Sequence, residues 1–236
     1  MENIIVVAHR GFSGVYPENT LLAFQKAVEL GVDFVELDVH QTIDKEIVVC
    51  HDYTIDRTTD GKGYIKEMIY EGIKRYDAGK WKGYPGEKIP LLKEVFEKFG
   101  EKIKILIEIK ECDVSALIKL IKEYRMEKRV IVGSFNLEYI KEVRNLLPII
   151  STAFISYEVP ENIDQLIKYG IRKLDIEFHN LNKEIGKELV SYGFVVNTWT
   201  PDTEEELKKV IDYGVQFITT DRPDILKEII KNGKGF

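Results

Sequence analysis

The chain has 236 residues, the length of one large domain, and single-domain α/β barrels of this size are common. Hydrophobic residues make up 44% of the chain, enough for a continuous core, which excludes a disordered protein even with 31% charged residues. The net charge is −6, and glutamates interrupt the evenly spread lysines and arginines. This pattern excludes an extended nucleic-acid-binding surface, so we expect no nucleic-acid partner.

The cysteine content and the N-terminal sequence indicate in which cellular compartment the protein is expected. Cys50 and Cys112 are the only cysteines, which does not imply a disulfide framework, and we expect both to be buried packing residues. The apolar run at residues 1–8 lacks the basic region and cleavage site of a signal peptide. No apolar run is long enough to span a membrane. We therefore predict a cytoplasmic protein without stable membrane insertion, and nothing in the sequence indicates an oligomeric state.

Short runs rich in Val and Ile alternate with amphipathic stretches along the chain. The runs lack strict polar alternation, which is typical of parallel strands buried on both faces. We predict strands at residues 4–8, 34–40, 103–109, 129–134, 150–155, 173–177, 194–199 and 215–219. Helices are predicted between them, at residues 20–30, 114–124, 137–147, 163–169, 183–192, 203–213 and 223–231. Asn19 or Thr20 is the expected N-cap of the first helix.

Several predicted helices end at a glycine that is followed by the next strand. Glycine relieves the left-handed strain at a helix C-terminus, as expected at Gly31, Gly170, Gly193 and Gly214. Eight units of this kind predict an α/β fold of the closed (β/α)₈ TIM-barrel class, with residues 1–236 as one catalytic domain. An open doubly wound sheet is the alternative, and the lack of a glycine-rich phosphate loop after the first strand weakens it.

The segment after the second predicted strand departs from the alternation of strands and helices. Residues 47–50 follow too closely for a helical crossover, so we predict an antiparallel hairpin. If the turn centres on residues 44–45, His51 falls roughly opposite Asp38. Residues 53–88 are polar and rich in Gly, Thr and Tyr, which indicates a small inserted lobe that caps the substrate site.

Three carboxylates stand on the second and third predicted parallel strands, whose C-terminal ends form the active-site mouth of a barrel. Glu36 and Asp38 are two residues apart and so point to one face, and Glu108 stands on the next strand. Converging carboxylates repel each other and lose hydration, and a cation relieves both effects. All-oxygen ligands favour Mg²⁺ or Ca²⁺ over zinc. The alternative is a structural cluster with Arg10 and Lys110 as salt-bridge partners.

Two of the four histidines, His9 and His51, precede loops at this mouth. Imidazole titrates near neutral pH, so a pair of histidines can serve as general base and general acid. The alternative for each is a hydrogen-bonded histidine at a strand end. His40 and His179 have no comparable neighbours in the sequence, and we expect them to be structural.

The mouth also carries basic residues. Arg10 and Lys110 suit a phosphate group, since an arginine can hold two of its oxygens, and charge balance for the carboxylates is the alternative. Glu18 could reach the mouth from the first βα loop. Asp175 and Glu177 repeat the spacing of the first acidic pair and are expected either to support the site or to lie lower in the barrel.

Short motifs follow one another in order along nearly the whole chain. They are His-Arg-Gly at 9–11, Pro-Glu-Asn-Thr at 17–20, Glu-Leu-Asp-Val at 36–39, His-Asp at 51–52 and Glu-Ile-Lys at 108–110. Further motifs are Arg-Thr-Thr-Asp-Gly-Lys-Gly at 57–63, Ile-Pro-Leu at 89–91, Trp-Thr at 199–200 and Thr-Asp-Arg-Pro at 220–223. Each motif alone is weak, but their combination resembles the glycerophosphodiester phosphodiesterases of the bacterial cytoplasmic type.

The resemblance implies a barrel with a small lobe inserted between the second and third parallel strands. It also implies one divalent metal, Mg²⁺ or Ca²⁺, held by Glu36, Asp38 and Glu108. His9 and His51 would be the acid–base pair.

The same resemblance implies that Arg10 binds phosphate with Lys110 nearby and that Glu18 supports the site. Trp199, at the end of a predicted strand, is assigned to the substrate site. The implied reaction is hydrolysis of a small-molecule glycerophosphodiester to sn-glycerol 3-phosphate and an alcohol such as choline or ethanolamine.

The implied mechanism is similar to that of bacterial phosphatidylinositol phospholipases C. The metal binds a phosphate oxygen and lowers the pKa of the glycerol 2-hydroxyl, which attacks phosphorus. One histidine takes the hydroxyl proton, the other protonates the leaving alcohol, and water then opens the cyclic phosphate. Direct attack by water is an alternative, and the sequence leaves the role of each histidine open.

Two other functions remain open from the sequence. A lysophospholipase D acting on lipids would need an apolar entry surface on the inserted lobe, where Tyr64, Ile69 and Trp81 stand among lysines. A noncatalytic phosphoester-binding module would be expected to lack a histidine or a metal ligand, and all are present here.

Overall fold

The computed structural model describes residues 4–233, so the ends of the predicted domain and the start of the N-terminal apolar run lie outside it. Its eight parallel strands are β1 (Ile5–Ala8), β2 (Phe34–Gln41), β4 (Lys104–Glu111), β5 (Val130–Ser134), β6 (Ser151–Ser156), β7 (Lys173–Glu177), β8 (Val195–Trp199) and β9 (Phe217–Thr220), with an additional strand β3 (Ile47–Val49) after β2. Because β1 pairs with both β9 and β2, the parallel sheet closes. The predicted TIM barrel is confirmed, and the open sheet is excluded.

Helices surround the barrel. They are α1 (Leu21–Leu30), α2 (Tyr70–Ile73), α3 (Leu92–Phe99), α4 (Val114–Glu123), α5 (Leu137–Leu146), α6 (Ile163–Lys168), α7 (Lys183–Ser191), α8 (Glu204–Ile211) and α9 (Pro223–Gly233). The prediction lacked α2, which belongs to the insertion, and α3, whose eight residues give only about two turns of apolar periodicity. Thr20 is the N-cap of α1, since its hydroxyl accepts a hydrogen bond from Ala23 N.

The hairpin is present, but its register differs by one residue from the prediction. The Cys50 amide donates to the Asp38 carbonyl at 3.0 Å, so Cys50 rather than His51 lies opposite Asp38. The reason is a three-residue turn at residues 43–45, which ends in a left-handed Lys45 with φ of 69°. Such a turn adds one residue relative to a two-residue hairpin loop and moves the returning strand by one position.

Successive side chains of a barrel strand point alternately toward the helices and toward the barrel interior. This alternation separates two apolar regions from a polar one. On β2, the buried side chains of Val35, Leu37 and Val39 belong to the large core between the barrel and its helices. Glu36 and Asp38 alternate with them and therefore face the barrel interior. A smaller cluster within the barrel packs Val7, Phe34, Leu106, Ile131, Ala153 and Phe217 together. The acidic residues lie beyond this apolar layer, toward the C-terminal ends of the strands.

Residues 53–88 fold around an apolar cluster of their own. Ile55, Ile65, Tyr70 and Ile73 are buried there, and the cluster extends to Val48, Cys50 and Leu91 beside β3. It shares no residue with the large core. Both Cys50 and Cys112 are buried free thiols, as expected. Within residues 4–233, none of the helices has the length and apolarity needed to cross a bilayer.

Candidate active site

The structure brings the three predicted metal ligands together at the mouth of the barrel. Asp38 on β2 and Glu108 on β4 are register partners, and Glu36 lies two residues before Asp38, on the same face of β2. One carboxylate oxygen from each residue lies within 4.8 Å of the other two. All three residues are buried, with Asp38 only 1% exposed. A triad of carboxylates with so little water is electrostatically costly unless cations offset it.

The pKa values of the three carboxyls diverge for identifiable reasons. Burial raises the pKa of Glu36 well above its usual range, and the charges of Asp38 and Glu108 add to this. Burial and the neighbouring Asp38 charge raise the pKa of Glu108 to about 7, against the attraction of Lys110. Burial also opposes ionisation of Asp38, but Arg10 and Lys110 outweigh it and hold the pKa of Asp38 at about 2. Without a bound cation, the cluster therefore retains protons near neutral pH.

The donor set fits a hard divalent cation. Asp38 Oδ1 and Glu108 Oε1 are buried and accept no hydrogen bond. Lys110 Nζ lies 3.3 and 2.5 Å from these oxygens and forms an ion pair with each carboxylate. Three buried carboxylates around one ammonium group retain an excess of negative charge, and an oxygen-only set of this kind suits a divalent metal. The cluster is therefore compatible with a metal site.

Arg10 and Lys110 flank the carboxylates. Arg10 has a left-handed backbone with φ of 53°, and its amide donates to Glu36 Oε2 at 2.8 Å. Its guanidinium donates to Glu18 Oε1 at 2.8 Å, so Glu18 lies beside Arg10. Lys110 lies within β4, whereas the predicted strand ended at residue 109. The register between β2 and β4 shifts here, because Val39 pairs with Ile109 and His40 pairs with Glu111, which leaves Lys110 without a partner on β2. A bulge of this kind re-aims the side chain of the extra residue, here toward the carboxylates.

His9 is held by an aspartate from the opposite end of the chain. Its Nδ1 lies 2.6 Å from Asp221 Oδ1. Burial opposes ionisation of Asp221, but the hydrogen bond with His9 outweighs it and lowers the pKa of Asp221 to about 2. An ionised carboxylate can only accept, so Nδ1 carries the proton. The Nε2 atom of His9 is then left with a free lone pair whenever the ring is neutral.

His51 has the same arrangement with a different partner. Its Nδ1 lies 2.6 Å from Asp52 Oδ1. A hydrogen bond from Arg57 is the largest influence that lowers the pKa of Asp52 to about 2, so Asp52 also accepts. Burial lowers the pKa of His51 below its ordinary value, in spite of the nearby Asp38 charge. His51 is therefore a neutral imidazole at neutral pH, protonated on Nδ1.

Arg57 of the insertion links two parts of the site. It donates to both oxygens of Glu18 at 2.7 and 2.8 Å and to both oxygens of Asp52 at 2.7 and 3.1 Å. Since Glu18 also accepts from Arg10, ion pairs run from Arg10 through Glu18, Arg57 and Asp52 to His51.

Four residues received no role in the site from the sequence: Asp221, Asp52, Arg57 and Asn19, the last of which was expected only as an alternative N-cap. Asn19 donates to Asp38 Oδ2 at 2.8 Å from a left-handed backbone position. All four stand inside the motifs quoted above, which was the available signal. The pairings of Asp221 with His9, of Arg57 with Glu18 and of Asn19 with Asp38 could not be inferred, because they join segments that are distant in sequence.

The remaining candidates lie at the edge of the site or outside it. His40 is buried and its Nε2 lies 3.1 Å from the carbonyl of His51, so it supports the hairpin, as its structural assignment implies. His179 is exposed and pairs with Glu177 at 2.7 Å, outside the cavity. Asp175 is buried in the cavity wall on β7, and burial raises its pKa to about 6.

A cavity of about 120 Å³ joins these groups. His9, His51 and Arg10 line it together with Glu36 and Glu108, and Trp199 forms part of its wall. The indole Nε1 of Trp199 is buried without a hydrogen-bond partner, so this donor is available to a ligand. Fold and site together define a barrel hydrolase with an acidic centre and two His–Asp pairs.

Comparison with known proteins agrees with this class. The model of the glycerophosphoryl diester phosphodiesterase family matches residues 9–225, so the chain belongs to that family. A glycerophosphodiester phosphodiesterase of Caldanaerobacter subterraneus subsp. tengcongensis is 39% identical, covering 97% of this chain and 98% of the relative. A lysophospholipase D of Mus musculus is 30% identical, covering 96% and 86%. The structure of an Oleispira antarctica phosphodiesterase in complex with its product sn-glycerol 3-phosphate superposes with a TM-score of 0.92 at 28% identity, covering 96% of each chain.

Proposed function

We propose that this chain hydrolyses glycerophosphodiesters to sn-glycerol 3-phosphate and an alcohol. The observation that carries the proposal is the presence of two imidazoles, each held by an ionised aspartate, on one cavity with a buried carboxylate triad. General acid–base chemistry on a phosphodiester needs one group to remove a proton and another to deliver one. Membership of the family supports the same reaction.

Glu36, Asp38 and Glu108 would hold one divalent cation, Mg²⁺ or Ca²⁺. Their oxygen-only donor set supports this choice over zinc. A cation bound there would supply charge neutralisation for the phosphate and a lower pKa for a coordinated hydroxyl.

The phosphate would lie between the carboxylate triad and the basic residues. Arg10 has a buried Nε without a hydrogen-bond partner, and Glu18 orients its guanidinium by accepting from Nη1. Lys110 adds a second positive charge, and Trp199 Nε1 offers a neutral donor from the wall. Donors left unsatisfied in a buried cavity are costly, and phosphate oxygens would satisfy them.

The two histidines would move the protons. With Nδ1–H bonded to aspartate, the Nε2 of one ring takes the proton of the attacking hydroxyl, either the glycerol 2-hydroxyl or water. The other ring, protonated at Nε2, delivers its proton to the oxygen of the leaving alcohol. If a cyclic phosphate forms, water opens it with the roles reversed. The residues 53–88 would cap the substrate, with Arg57 joining them to both Glu18 and Asp52.

The test is an assay for release of sn-glycerol 3-phosphate. Glycerophosphocholine and glycerophosphoethanolamine are supplied with Mg²⁺, with Ca²⁺ and with chelator, and elemental analysis gives the metal content. We expect turnover with metal, loss with chelator and recovery on metal addition. Release of choline without glycerol 3-phosphate, or full turnover in metal-free protein, would contradict the proposal.

A lysophospholipase D activity is the second candidate. The mouse relative carries that name, and the insertion exposes Tyr64, Ile69 and Trp81. Lysophosphatidylcholine is therefore included in the same assay. We expect short diesters to be preferred by a large factor, and comparable rates on the lysolipid would favour the second candidate.

A further inference from the structure

A second cleft of about 560 Å³ adjoins the catalytic cavity. His51, Phe135 and Tyr157 line both spaces, so the cleft opens directly from one side of the site. Tyr53, Tyr139 and Glu111 also line it. The reaction proposed above involves the phosphate, the glycerol and the acid–base pair, and it assigns no role to this cleft.

Aromatic rings dominate the wall between the two spaces. Phe135 follows β5 and Tyr157 follows β6, and their ring centroids lie 5.2 Å apart. Trp199 packs edge-on against both rings, at 5.7 and 5.4 Å. Tyr157 is nevertheless 62% exposed and Tyr53 is 55% exposed. Large aromatic surfaces left open around one cleft indicate a binding surface rather than core packing.

The charges around the cleft favour a cationic ligand. Glu111, at the end of β4, lines it together with Lys110 and with Asp52, whose carboxylate is paired with Arg57. Glu111 has only a marginal partner, Lys66 at 3.5 Å, and the side chain is 40% exposed. Lys110 Nζ already stands 5.7 Å from the centroid of Phe135, and its own charge is held by Asp38 and Glu108. Aromatic faces are a means by which proteins bind quaternary ammonium groups, and a partly exposed carboxylate beside them adds attraction for the positive charge.

We propose that this cleft is the subsite for the leaving alcohol and selects an alcohol that carries a quaternary ammonium group. This inference rests on the proposed function and specifies its substrate class. The polar inner cavity, with Arg10 and the carboxylates, suits the glycerol phosphate half, and the aromatic cleft takes the other half. A quaternary ammonium spreads its charge over methyl groups, which pack on rings without needing hydrogen-bond acceptors.

The test compares two substrates that differ at one atom. Glycerophosphocholine is measured beside its 3,3-dimethylbutyl analogue, in which carbon replaces the charged nitrogen and the shape is kept. We expect kcat/KM to be about tenfold higher for the choline ester, within the range that one or two cation–π contacts supply. In Tyr157→Leu and in Glu111→Gln, this ratio should fall toward unity. Circular dichroism checks that each variant is folded.

Tyr192→Leu is the matched control, because Tyr192 is another exposed tyrosine that lies outside both spaces. Its ratio should equal that of the unmodified protein. Equal kcat/KM for both esters in the unmodified protein overturns the inference while leaving the proposed function standing. An unchanged ratio in both cleft variants, or an equal fall in the control, also overturns it. Failure to hydrolyse either ester would instead overturn the proposed function and this inference with it.

Discussion

His9 Nδ1 and Asp221 Oδ1 lie 2.6 Å apart although the two residues are 212 positions apart in the chain. The contact exists because β1 and β9 are neighbours where the barrel closes, with Ala8 and Thr220 as register partners. His9 and Asp221 directly follow these two residues. The closure of the barrel therefore decides which ring nitrogen of His9 carries the proton.

Asp221→Asn should lower kcat by about 10²-fold or more with little change in KM, since a base in the wrong tautomer loses its catalytic contribution. An asparagine amide can donate to Nδ1, which would shift the proton to Nε2. The measurement is steady-state kinetics beside Asp224→Asn, a control whose carboxylate pairs with Arg222. Near-normal kcat in Asp221→Asn would remove this pair from the mechanism.

His9→Ala and His51→Ala should each lower kcat by ~10²–10⁴-fold while metal content and fold are retained. If both rings act in one proton circuit, the double variant should lose much less than the product of the two single losses. The pH–rate profile of the unmodified protein should be bell-shaped, with one limb for the base and one for the acid. Either single variant with normal turnover would exclude that histidine from catalysis.

Metal affinity should rise with pH between about 6 and 8. In the metal-free site, the pKa of Glu108 is about 7 and that of Glu36 is raised, so protons compete with the cation below these values. Titration calorimetry with Mg²⁺ or Ca²⁺ in buffers of different ionisation enthalpy measures the protons released. Glu108→Gln should bind metal more weakly and release fewer protons. Affinity that does not vary with pH would argue against carboxylate ligation by this cluster.

Asp175→Asn should stabilise the fold at pH 8 by about 1–3 kcal/mol, since a shift of one pKa unit corresponds to 1.36 kcal/mol. Burial raises the folded-state pKa of Asp175 from 3.8 to about 6. The folded state therefore binds the proton of Asp175 more tightly than the unfolded state does. Its contribution to stability falls as pH rises from 3.8 to about 6, and stability stays reduced above that range. Urea unfolding at pH 4.5 and pH 8 tests this. The gain should appear at pH 8 and shrink at pH 4.5, and a loss of stability at pH 8 would contradict it.

Arg57→Gln should lower kcat about tenfold or more while changing the free energy of unfolding by less than about 1 kcal/mol, as is usual for half-exposed ion pairs. Its side chain is 45% exposed, yet it orients both Glu18 and Asp52. Kinetics and urea unfolding separate the two effects. Arg75→Gln, an exposed arginine of the same insertion, is the control. Equal effects in both variants would mean that Arg57 acts only through the general stability of the insertion.

The sequence by itself determined the barrel and the acidic triad, because both depend on local periodicity. Val35, Leu37 and Val39 alternate with Glu36 and Asp38, so one strand specifies which residues face the core and which face the interior. Parallel strands present their C-terminal ends at one edge, which brings Glu108 to the same place. The resemblance of the motifs added the identity of the family.

Only the tertiary structure decided how these residues are coupled. The partners Asp221 and His9 meet because the barrel closes, and Arg57 pairs with Glu18 although they are 39 positions apart in the chain. The one-residue register of the hairpin depended on the conformation of Lys45. Phe135 and Tyr157, from two different βα loops, became neighbours only through the pairing of β5 with β6. Contacts of this kind depend on side-chain directions across long loops, which local propensity and periodicity do not encode.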